Sequence, residues 1–147
     1  MIEFIKYNNT YKEIVKGIYN KETLDKFTNS GIYIYVYILG LFKSSIYLVV
    51  HNQELIGTIA IIRKFNIRKL KKETWIAGVH ILQKFRRQSY GTKLMLLSLN
   101  ECEKNRYKIV NLYVDKDNIA AYRLYEKIGF TITGTYKSYW KMHYIIN

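Results

Sequence analysis

Apolar and polar positions recur along this chain with two periods, two and 3.6, and the places where the period changes divide it into elements. Residues 1–7 alternate weakly and predict a first strand. Thr10-Tyr11-Lys12-Glu13 then forms a capping box, after which Tyr11, Ile14, Val15, Ile18 and Tyr19 fall on one helical stripe. A second short helix carrying Leu24 and Phe27 is expected after Asn20. Residues 32–38 alternate aliphatic side chains with tyrosine, which by period and propensity predicts a strand, with a helix as the outcome if tertiary packing overrides it.

The second half has a sharper rhythm. Residues 45–51 and 55–63 are apolar runs around Asn52-Gln53-Glu54, a connection short enough for an antiparallel hairpin, and the basic segment 63–72 is expected to be a loop. Residues 74–82 resume as a strand, 91–105 form a helix with Leu94, Leu97, Leu99 and Cys102 among its apolar positions, and 109–114 return as a strand. Residues 118–128 form a second helix, with Asn118 as N-cap, Ala121, Leu124, Tyr125 and Ile128 on one face, and Gly129 as the left-handed terminator. Strands over 130–133 and 139–146 close the chain. Single strands, a hairpin, a strand-helix-strand unit and a closing pair make an α/β (α+β) protein with a mixed, mostly antiparallel central sheet flanked by helices.

Length and composition narrow this further. At 147 residues, without a repeat, linker or low-complexity tract, residues 1–147 are expected to form one domain. The single cysteine, Cys102, cannot form an internal disulfide, and no signal-like run stands at the start, so a reducing, cytoplasmic setting is expected. The longest apolar run, 32–42, is interrupted by Gly40 and falls short of the roughly 17–25 residues of a membrane span, so no membrane partner is expected. A net charge of +13 favours anionic partners, although a chain rich in lysine, asparagine, isoleucine and tyrosine and lacking proline also fits an A·T-rich coding bias.

Candidate chemistry begins where strand 74–82 leaves through the basic turn Gln83-Lys84-Phe85-Arg86-Arg87-Gln88-Ser89-Tyr90-Gly91-Thr92 into a helix. The first N–H groups of a helix lack intrahelical acceptors, and the helix dipole adds positive potential there, so this turn suits an anion such as a pyrophosphate. Gly91 lets the backbone approach a ligand without a Cβ, and Arg86 and Arg87 add charge at the rim.

The segment Asn118-Ile119-Ala120-Ala121-Tyr122-Arg123-Leu124-Tyr125-Glu126-Lys127-Ile128-Gly129-Phe130 resembles the Asn-x-x-Ala-x-x-Leu-Tyr-Glu-Lys-x-Gly-Phe signature of the GNAT superfamily of acetyl-CoA-dependent N-acetyltransferases. The turn is similar to that family's Arg/Gln-x-x-Gly-x-Gly/Ala, with Ser89 where the first glycine stands. The resemblance implies acetyl-CoA as cosubstrate, direct acetyl transfer to an amine, and a place for each residue. Backbone groups of Val79 and Ile81 would meet the pantetheine arm, and Arg86, Arg87, Gln88, Ser89, Tyr90, Gly91 and Thr92 would cradle the pyrophosphate. Asn118 and Ala121 would touch the cosubstrate from the second helix, and Tyr125 would protonate the departing sulfur. Where the branch acting on protein N-termini has a fifth-strand glutamate, this chain has Tyr113, and the corresponding fourth-strand position is Trp75. Residues 134–140 are similar to that same branch.

Candidates for the general base are Glu73, on the strand face of Trp75, and His80, whose ordinary pKa lies near neutrality; a water chain is the third option. Cys102, flanked by leucines on a helix, reads as core, and His51 and His143 show no metal-ligand spacing, so no metal is expected. The acceptor amine is left open between small molecules and protein N-termini or lysines, and a homodimer is compatible with this reading. Two rival readings are a basic nucleic-acid-binding module using Arg63, Lys64, Arg68, Lys69, Lys71 and Lys72, and a catalytically inactive CoA-binding regulator.

Overall fold

The computed structural model of the chain describes residues 2–7 and 43–147. The helices expected near residues 10–27 and the strand expected over 32–38 lie outside the described residues. Strands β1 (Ile2–Lys6), β2 (Lys43–His51), β3 (Glu54–Asn66), β4 (Lys71–Ile81), β5 (Ile109–Asp115), β6 (Thr131–Tyr136) and β7 (Tyr139–Ile145) make one sheet in the order β1-β2-β3-β4-β5-β7-β6. Neighbours are antiparallel except β4 and β5, which are parallel because helix α1 (Tyr90–Lys104) carries the chain back across the sheet between them. Helix α2 (Ile119–Ile128) joins β5 to the closing β6–β7 hairpin. This is the mixed, mostly antiparallel sheet with helices that the alternating pattern implies.

The expected loop over 63–72 is corrected by the structure. β3 and β4 remain paired out to Asn66 opposite Lys71, so only residues 67–70 form the turn. Basic side chains do not end a strand when their stems and heads find partners on the sheet. Here the Arg63 guanidinium donates to Thr74 Oγ1 at 2.6 Å, and Lys64 Nζ lies 4.0 Å over the Trp75 ring.

Period-two alternation sends Ile59, Ile61, Ile76, Val110, Leu112, Val114 and Met142 to one face of the sheet. There they meet Leu94, Met95, Leu99 and Cys102 of α1, Tyr125 of α2, and Phe130 just beyond it. Asn118 Oδ1 accepts from Ala121 N at 3.1 Å at the start of α2, and Gly129 ends it at φ 114°, as expected from their residue types. Along β3 and β4 the register slips between Thr58 and Ala60, and Gly78 takes φ 58° inside β4, so β4 carries a bulge. The strands approach closely beside it: a Cβ on Gly57 would stand 2.2 Å from the His80 carbonyl oxygen.

Candidate active site

The parallel pair β4–β5 is joined only at Thr74 opposite Val110 and Trp75 opposite Asn111. Beyond that point the β4 bulge and the departing β5 leave a fork. Asn111 fixes its closed end, its buried amide donating to the Thr74 carbonyl at 3.1 Å. This polar residue was not singled out by sequence reasoning; its signal is the single amide within the apolar run of β5. Val79 and Ile81 lie on the β4 arm, where a ligand chain can pair with an exposed strand edge. Arg86 Nε donates to the Ile81 carbonyl at 2.9 Å, so the first arginine of the basic turn ties itself to that arm.

At the mouth of the fork a 3-10 turn (Gln83–Phe85) leads to Ser89, the N-cap of α1. Arg87 at φ 61° and Ser89 at φ 62° are both left-handed, on either side of Gln88. Such alternation turns successive N–H groups toward one concavity, an arrangement that binds anions. Ser89 keeps the left-handed geometry despite its Cβ, and its hydroxyl makes no capping hydrogen bond. The N–H groups at the start of α1 therefore remain available to a ligand. Gln88 folds back, its side-chain amide donating to the Lys84 carbonyl at 3.0 Å, while Arg86 and Arg87 are exposed.

Two of the expected residues have additional tasks. Tyr90 turns its hydroxyl to His51 Nδ1 at 2.9 Å and sets its ring edge-on to Phe85, so its side chain anchors the turn to β2. The missing side chain of Gly91 serves helix packing, because a Cβ there would lie 3.2 Å from Leu124 Cδ2 of α2. Ala121 is half-buried against the core beside Leu124, and Thr92 is half-buried on the first turn of α1.

Tyr125 is only 7 % exposed. Burial pushes its phenol up to about 12. No charged group contributes to that shift, and among the described residues its hydroxyl has no hydrogen-bond partner. It is a neutral donor throughout the physiological range.

The opposite face of the sheet at the fork carries a different cluster. The Trp75 and Tyr113 rings stack at 4.8 Å, and Tyr136 and Tyr139 lie 5.9 and 6.5 Å from Tyr113. Glu73 sits on this face at the closed side of the fork. It accepts from Trp75 Nε1 at 3.2 Å and Asn66 Nδ2 at 3.0 Å and pairs with Lys69 Nζ at 3.3 Å. Burial alone would raise its pKa, but the Lys69, Asn66 and Trp75 donors outweigh it and hold the carboxyl below its usual value. A carboxylate so supplied with donors is a weak proton acceptor and a firm anchor for the Trp75 ring. His80 is half-buried beyond the bulge, opposite Thr58 of β3. Among the described residues, no group of three or more histidine, cysteine, aspartate or glutamate side chains could hold a metal, and no helix is long and apolar enough to cross a membrane.

Comparison with known proteins agrees with this architecture. N-alpha-acetyltransferase 50 of Danio rerio is 36 % identical over 72 residues, a stretch covering 48 % of this chain and 43 % of that protein. N-alpha-acetyltransferase 30 of Dictyostelium discoideum is 29 % identical over 131 residues, covering 88 % of this chain and 68 % of that protein. In fold, the chain is similar to Arabidopsis thaliana Naa50 in complex with the bisubstrate analogue CoA-Ac-MVNAL, with TM-score 0.74, 17 % identity and 99 % of each chain covered. The acetyltransferase (GNAT) family matches residues 10–130, a span that takes in the fork, the turn and both helices, and the chain belongs to that family.

Proposed function

We propose that residues 1–147 form a single N-acetyltransferase domain that moves the acetyl group of acetyl-CoA directly to a primary amine, on a small molecule or on a protein N-terminus or lysine. The observation that carries this reading is the fork between β4 and β5 with the left-handed, basic turn at its mouth. An unpaired strand edge suits an amide-bearing arm, and a nest of N–H groups beside two exposed arginines suits a pyrophosphate. The CoA-derived bisubstrate on the Arabidopsis neighbour and the N-alpha-acetyltransferase relatives support the same cosubstrate and acceptor class.

Bound acetyl-CoA supplies an activated acyl carbon and a sulfur leaving group. In this reading Val79 and Ile81 pair with the arm, and Arg86, Arg87 and the Gln88–Thr92 backbone hold the pyrophosphate. Asn118 and Ala121 line the cosubstrate from α2, and Tyr125 donates to the sulfur. A phenol near 12 facing a thiolate of ordinary pKa, about 8.5, loses its proton only at a cost of roughly 5 kcal/mol. The Tyr125 contribution is therefore a hydrogen bond that strengthens as charge builds on sulfur, while the proton given up by the amine balances the thiol. Glu73 holds Trp75, and His80 or water accepts the proton from the amine. The nucleic-acid reading is not favoured, because Arg63 and Lys69 of the basic segment are engaged with Thr74 and Glu73 on the sheet itself.

The test is incubation with acetyl-CoA and a panel of peptides and amines, followed by mass analysis of the products and measurement of free thiol. Acetylated product and thiol in equal amounts are expected. Stabilisation by acetyl-CoA without any transfer would leave the inactive CoA-binding regulator as the better reading.

A further inference from the structure

Resting on the acetyltransferase reading above, we infer that the acceptor carries an anionic group beside its reactive amine, and that Lys64 and Lys141 recognise it. Lys64 is directly opposite Glu73 across β3–β4, and Lys141 is opposite Tyr113 across β5–β7, so both rise from the face that bears Trp75 and Tyr113. Their ammonium groups lie 4.0 and 5.1 Å from the centroid of the same Trp75 ring. Two half-buried cations thus converge on one indole at the closed end of the fork.

Among the described residues, neither is in contact with a carboxylate. Glu73 gives its oxygens to Lys69, Asn66 and Trp75. Asp115, the other acid on this face of β5, accepts from the Asp117 backbone N–H at 2.9 Å. Among the described residues, neither Lys64 nor Lys141 forms an ion pair. Burial lowers the Lys64 pKa, Glu73 raises it and Lys141 lowers it further, with a net shift downward. Such a pair gains from an incoming carboxylate and disfavours a second cation. A polyamine or a lysine-flanked amine meets repulsion, whereas a peptide with an acidic side chain next to its N-terminus meets attraction. The exposed Tyr113, Tyr136 and Tyr139 rings provide the apolar wall along which such a peptide would lie.

The experiment compares kcat/KM for peptides identical except at the second residue, which is aspartate, asparagine or lysine. The expected order is aspartate over asparagine by about fivefold, with lysine lowest. In the Lys64→Gln, Lys141→Gln double variant the aspartate-to-asparagine ratio falls to near one. The Lys64→Arg, Lys141→Arg variant restores it, and Lys104→Gln, at the far end of α1, leaves it as in the wild type. Thermal melts of each variant separate a lost preference from a lost fold. Equal kcat/KM for all three peptides, or a preference that survives in the glutamine double variant, overturns the inference while the acetyltransferase reading stands. Absence of transfer to every peptide overturns the inference, and the acetyltransferase reading falls with it only if the small-molecule amines of the panel also go unacetylated.

Discussion

Replacing Ser89 with glycine removes a Cβ from a residue held at φ 62°, ψ 8°. A residue with a Cβ in the left-handed region is strained by roughly 1–2 kcal/mol, which glycine escapes. Glycine also gives the unfolded chain more freedom, worth about 0.4–1 kcal/mol in the other direction. Because the serine hydroxyl makes no capping hydrogen bond, its loss costs nothing further. Ser89→Gly should therefore stabilise the protein by about 0.5–1 kcal/mol. With an unfolding entropy of roughly 2.1 cal/mol/K per residue, that raises Tm by about 2–3 °C. Differential scanning calorimetry and urea melts measure it, with Ser89→Ala as the control that removes the hydroxyl and keeps the strain. The alanine variant is expected within about 0.5 kcal/mol of wild type. A destabilised glycine variant, or a loss of about 1 kcal/mol in the alanine variant of the kind a broken cap produces, would refute the reasoning.

Gly57→Ala should act in the opposite direction. Its Cβ would collide with the His80 carbonyl oxygen at 2.2 Å, so β3 and β4 must separate at the bulge, at a cost of about 3 kcal/mol in denaturant unfolding. Alkaline stability provides a second check. Burial pushes the Cys102 thiol from 9.0 up to about 12, with Glu101 adding to the shift. Its stabilising contribution is complete below pH 9 and is lost as the unfolded thiol ionises and the folded one does not. Between pH 8 and pH 10.5 wild type should lose about 2 kcal/mol more than Cys102→Ala, measured as the difference in the pH dependence of their unfolding free energies.

Much of the fold was legible because the period of the pattern changes cleanly. The α2 stripe, its Asn118 cap and its Gly129 terminator are local features, and local chemistry decides them. The β3–β4 extension was not legible. What keeps Arg63 and Lys64 in a strand is a hydroxyl and an indole contributed by the partner strand, and nothing near them in sequence announces either. The same limit applies at the candidate site. The turn and Tyr125 belong to contiguous motifs, whereas the fork arises from a bulge and a short parallel register that only pairing reveals. Lys64, Trp75, Tyr113 and Lys141 meet from four strands, and their juxtaposition exists only in the folded sheet.

The central claim is that Tyr125 serves the sulfur of acetyl-CoA held in the fork. Its most direct test is the rate of free-thiol release from acetyl-CoA with a saturating amine acceptor, compared between wild type and Tyr125→Phe. The Tyr125 hydroxyl makes no hydrogen bond among the described residues, so the phenylalanine variant should fold as well as wild type and keep the same thermal stabilisation by acetyl-CoA. A fall in kcat of about 10²-fold, the low end for loss of one hydrogen bond aimed at developing charge, is the predicted result. A kcat within twofold of wild type, with acetyl-CoA binding intact, would contradict the account.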